Sequence, residues 1–133
     1  MSKIEAIGVI GIPYIVGWKG EGIDQGAHAL RSAGLLNELR EIADVVEDLG
    51  DVKADLPPRD ETNPKLLNRH QVVALSRAIA PRVKDACRRG YFPLILGAED
   101  SIIMGIVEGL QQGLTEPIGL IYLDAHGDFN TPE

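Results

Sequence analysis

Short β-branched runs alternate with longer stretches of helical apolar spacing along these 133 residues, and this alternation narrows the possible folds more than any other feature. Residues 4–10 are rich in isoleucine and valine and close on Gly11-Ile12-Pro13, as expected of a buried parallel strand. After a glycine-rich stretch over residues 17–26, Leu30, Ala33, Leu36 and Leu39 recur at helical spacing and predict a helix over 27–41. Residues 45–49 read as a second strand, and residues 54–64, with three prolines among polar residues, as a loop. Val72, Leu75, Ile79, Val83 and Ala86 form another helical stripe that ends at Gly90. Pro81 interrupts it, so either a kink near residues 77–80 or two shorter helices is expected. A strand over 92–96, a helix over 101–112 and a strand over 118–123 complete the pattern.

Strand–helix alternation favours a mostly parallel sheet covered by helices, an α/β three-layer sandwich. The chain is long enough for one core, and 44% of its residues are hydrophobic. In such sheets ligands collect beyond the carboxyl ends of strands. Two polar clusters fall there: Gly97-Ala98-Glu99-Asp100-Ser101 after the 92–96 strand, and Asp124-Ala125-His126-Gly127-Asp128 after the 118–123 strand.

A formal net charge of -7 argues against binding the nucleic-acid backbone or an anionic membrane. Arg82, Lys84, Arg88 and Arg89 do cluster, but at the end of a predicted helix, where cations complement the dipole. The single cysteine, Cys87, excludes an internal disulfide and is expected to be a packing residue in a protein of a reducing compartment. No export signal or membrane-spanning apolar run is evident, so a cytoplasmic location is expected.

If the 118–123 strand persists, its period of two places Asp124, His126 and Asp128 on one face. Two carboxylates and an imidazole suit manganese, magnesium or iron, with manganese the first choice. The competing reading has the aspartates capping turns and His126 packing. His28 and His70 read as ordinary surface or packing histidines.

Taken together, these motifs resemble the amino-terminal part of the ureohydrolase superfamily, most closely arginase and its relatives. Asp124 to Pro132 follows the family's Asp-Ala-His-X-Asp motif with its Asn-Thr-Pro ending. The stretches over residues 26–35 and 48–52 look like further family segments. The resemblance implies that residues 1–133 form the amino-terminal part of a single ureohydrolase-like α/β domain, incomplete here. It implies that Asp124 bridges two manganese ions, that His126 binds one, and that Asp128 binds the other and orients the bridging hydroxide. His126 and Asp128 would thus be catalytic. Asn130 matches a position that binds the amino-acid end of the substrate, with a turn-forming role as the rival. The implied reaction is hydrolysis of a C–N bond in a guanidino or amidino compound with release of urea.

One departure stands out. Where the family has Gly-Gly-Asp-His-Ser, this sequence has Asp100 in the histidine position, which leaves it either a substitute metal ligand or a helix cap. The family's Asp-X-Asp motif would lie after Glu133, and a piece of a longer enzyme is the expected explanation. The alternatives are a noncatalytic, pseudoenzyme-like subunit that supports an oligomer, and a metal deacylase of related fold. A homo-oligomer, or a hetero-oligomer with family members, is expected.

Overall fold

The computed structural model describes residues 4–17 and 21–127. Three parallel strands, β1 (Ile4–Gly11), β2 (Ala43–Asp51) and β3 (Phe92–Leu96), form one sheet in the order β2-β1-β3. The central strand is the most apolar, and its alternation divides the core. Ile7 and Val9 point to one face, and Ile10, followed by Ile12 just past the strand, points to the other.

Connectivity decides where the helices go. The first crossover leaves β1 for one neighbour, and the second returns from that edge across β1 to β3. Right-handed crossovers that travel in opposite directions place their helices on opposite faces. Accordingly α1 (Gly26–Ser32) and α2 (Leu35–Arg40) bury Ala27 and Leu39 against Ile7, Val9, Ala43 and Leu96. On the other face α3 (Arg69–Arg88) buries Leu75, Ile79, Val83 and Ala86 against Ile10, Ile12 and Val52. The result is the expected α/β three-layer arrangement.

The single helix expected over 27–41 is two helices. Gly34 adopts φ 94°, a left-handed conformation open to glycine, and the chain turns there before α2 starts. The break expected at Pro81 does not divide its helix, which runs for 20 residues without interruption. Pro81 and Arg77 both lie on the exposed face, where water can satisfy the Arg77 carbonyl that loses its helical donor.

A 3₁₀ turn (Asp100–Ile102) leads into α4 (Ile103–Gly113), which packs along α3. Gly105, Gly109 and Gly113 recur every four residues on the contact face of α4. A Cβ at Gly109 would stand 2.6 Å from the Ala80 carbonyl oxygen, and one at Gly105 2.7 Å from that of Ser76. The two backbones therefore meet directly, without intervening side chains.

An ion-pair clamp joins α1 to the carboxyl end of β2. Arg31 donates to Asp51 at 2.6 Å and to Asp48 at 2.9 Å. The clamp lies over Gly11, where a Cβ would stand 2.0 Å from the Asp51 carboxylate. The basic residues near the end of α3 also reach across elements rather than only along the helix. Arg82 donates to the Leu49 carbonyl, Lys84 to Gln112 at 3.2 Å, and Arg89 to Glu47 at 3.2 Å.

Residues 118–123, expected as a strand, pair with none of the three strands. Their β-forming composition is not enough, because a strand exists only where a neighbour accepts its ladder of hydrogen bonds. Leu120, Ile121 and Leu123 are 64%, 86% and 92% exposed.

Gly109→Ala is expected to lower stability by about 1–3 kcal/mol, because the clash with α3 outweighs the gain in helix propensity of up to ~1 kcal/mol. Urea denaturation measures it. A second expectation concerns acid. Burial pushes the Asp48 carboxyl up, but the Gly50 backbone N–H and Arg31 together outweigh burial and hold it below its ordinary value. A lowered folded-state pKa stabilises the fold above the unfolded pKa, and this contribution is lost as pH falls through the folded value. The stability gap between the unmodified chain and Asp48→Asn should therefore shrink between about pH 5 and pH 2.

Candidate functional site

The carboxyl ends of β1 and β3 lie side by side, and the Ile12 N–H donates to the Leu96 carbonyl at 2.8 Å just beyond them. From β1 the chain turns away toward β2, so the segments that leave β1 and β3 run to helices on opposite faces of the sheet. This is the topological switch point at which doubly wound sheets bind ligands.

Glu99 and Asp100 sit just past β3 at this point. Asp100 is the first residue of the 3₁₀ turn that opens α4 and is exposed, while Glu99 holds the N-cap position of that turn and makes no side-chain capping bond there. The Glu99 carboxylate accepts the backbone N–H of Val16 at 3.0 Å, that of Gly17 at 2.8 Å, and the Ser101 hydroxyl at 2.5 Å. Sequence reasoning missed this role, because the amides lie 82 and 83 positions away and local pattern carries no trace of them.

From the other side Asn68 closes on the same loop. Its Nδ2 donates to the Val16 carbonyl at 2.8 Å and its Oδ1 accepts the Asp60 N–H at 2.8 Å. Asn68 is 1% exposed and holds φ at 50°, a left-handed conformation that asparagine tolerates better than most residues. Its position just before α3 is the signal that could have drawn attention to it.

Among the remaining site residues, Asp124 and His126 are brought together by local geometry and not by a strand. Asp124 Oδ1 accepts the His126 backbone N–H at 2.7 Å, an Asx turn, and His126 Nδ1 lies 3.4 Å from the same oxygen. Strand periodicity therefore does not order Asp124 and His126, since residues 118–126 form no strand. The His126 side chain is 83% exposed and not packed. Asp128 and Asn130 lie outside the described residues. Among the described residues no three His, Cys, Asp or Glu side chains gather as a metal-binding group. A carboxylate beside an imidazole fits a divalent cation in donor chemistry.

His28 and His70 are exposed on α1 and in the first turn of α3, as expected of surface histidines. Cys87 is half-buried in α3, and burial pushes its thiol pKa up, which disfavours a reactive thiolate. No described helix is long and apolar enough to cross a membrane.

A parallel sheet in the order β2-β1-β3, covered by helices on both faces and carrying acidic side chains at its switch point, defines a doubly wound α/β protein. The sequence profile of the arginase family matches residues 5–133. The chain belongs to that family. It is 35% identical over 132 residues to the arginase of Bacillus caldovelox, covering 98% of this chain and 44% of that protein. Against the arginase of Brevibacillus brevis it is 36% identical over 125 residues, covering 92% and 41%. The crystal structure of Bacillus cereus arginase superposes with a TM-score of 0.79 at 35% identity, over 95% of this chain and 41% of that one. The chain thus spans less than half the length of the relatives it matches.

His126→Ala is expected to change stability by no more than about 0.5 kcal/mol, since so exposed a side chain contributes little to folding. Thermal melting of the two forms checks it, and a larger loss would mean that the imidazole packs.

Proposed function

We propose that this chain contributes the amino-terminal portion of a metal-dependent ureohydrolase, which hydrolyses a C–N bond of a guanidino or amidino compound and releases urea. The observation that carries this reading is the arginase-family match, which runs through Asp124 and His126 to Glu133. In this reading Asp124, His126 and Asp128 hold manganese, and Asp100 stands where the family's motif has a further ligand. Asn130 contacts the substrate's amino-acid end. A bound pair of divalent ions would supply positive charge that acidifies water and polarises the substrate.

This chain's own residues do the positioning. The Asp124 carboxylate fixes the turn to His126 by taking its backbone N–H, so carboxylate and imidazole are presented within one short segment. With one Asp124 oxygen held by that turn, the backbone and not the side chain alone sets where the donor stands. Water adds across the C–N bond, and the products are urea and the amine that carried it. The single cysteine suits a reducing compartment, and we place the protein in the cytoplasm.

A second reading is favoured by Asp100 in the histidine position: a noncatalytic family subunit that supports an active partner in an oligomer. Metal analysis and a urea assay on the whole protein separate the two. About two manganese ions per chain with urea release support the enzyme, in the manner of two-metal hydrolytic sites. Neither metal nor urea supports the silent subunit. Asp100→His should raise manganese affinity several-fold by restoring a longer, neutral donor. An unchanged affinity would remove Asp100 from the ligand set.

A further inference from the structure

We propose that Glu99 is a positioning residue: it clamps the loop after β1 to the turn after β3 and so fixes Asp100 at the switch point of the sheet. The inference rests on the metal-dependent reading above, and its ground is the way one loop peptide is held. The N–H of the Val16–Gly17 peptide donates to Glu99, and its carbonyl accepts from Asn68. The preceding N–H, on Val16, also donates to Glu99. Val16 is itself fully buried, so this segment is pinned by its side chain below and by two side chains on its backbone.

Glu99 is suited to this by reach. Its carboxylate spans from the turn after β3 to amides on a different loop and still accepts Ser101 Oγ, two residues along its own turn. With Val16, Gly17 and Ser101 all on its oxygens, the Glu99 carboxylate is committed to the scaffold. The adjacent Asp100 is the first residue of the same turn and is exposed. Glu99 and Asp100 thus divide the work of one dipeptide, the first holding backbone and the second exposed at the switch point.

Reach and charge can be separated. Glu99→Gln keeps the length and an accepting oxygen but removes the charge, whereas Glu99→Asp keeps the charge and withdraws the carboxylate by one methylene. In the whole protein, manganese titration by calorimetry well below the unfolding temperature should show affinity within about threefold of the parent for Glu99→Gln. It should show a loss of about tenfold or more for Glu99→Asp. Hydrogen exchange at the Val16 and Gly17 amides should accelerate in Glu99→Asp and stay near the parent rate in Glu99→Gln. If Glu99→Asp melts lower but binds manganese like the parent, Glu99 is only structural and the inference fails while the metal reading stands. The inference also fails if Gln weakens binding as much as Asp does, because charge would then be the cause. If the unmodified protein binds no manganese at all, the metal reading fails and takes this inference with it.

Discussion

The pairing of β1 with a parallel neighbour on each side is the constraint on which everything else depends. A central strand needs apolar residues on both faces, and Ile7, Val9 and Ile10 supply them. Once β2 and β3 lie on opposite sides of β1, the handedness of the crossovers sends α1 and α2 to one face and α3 to the other. The same reversal sets the switch point between the loops after β1 and β3. Layering and site location thus follow from a single placement.

Polar side chains then do at the sheet's carboxyl end what apolar ones do within it. Arg31 spans from α1 to Asp48 and Asp51, Asn68 anchors the approach to α3, and Glu99 takes two backbone amides of the β1 loop. Each of these joins segments distant in sequence where no sheet hydrogen bond is available. Loops at a binding face need such fastening, since their backbone groups lack ladder partners and must be satisfied individually.

Much of this was legible from sequence, and the failures have physical causes. The strands β1, β2 and β3 were expected because short β-branched runs bounded by glycine and proline carry their own signal. The break at Gly34 went unseen because apolar spacing continues through it, although a glycine inside a helical pattern is the mark of such a turn. Residues 118–123 have strand composition, but pairing is a property of neighbours and cannot be read from one segment. Asp124 and His126 were singled out by chemistry, and their proximity proved to come from an Asx turn instead of strand periodicity. Glu99 stood beside the residue that received the attention. Its role depends on amides that only the fold brings near.

The glycine stripe of α4 has a consequence for accuracy. Where helices touch through side chains, rotamer changes let one slide against the other by fractions of an ångström. Gly105, Gly109 and Gly113 remove that slack, because α4 rests on the carbonyls and Cβ atoms of α3. The 3₁₀ turn bearing Asp100 is the direct amino-terminal extension of α4. Its location therefore inherits the tolerance of a backbone-to-backbone joint, the least adjustable kind of contact a protein interior offers.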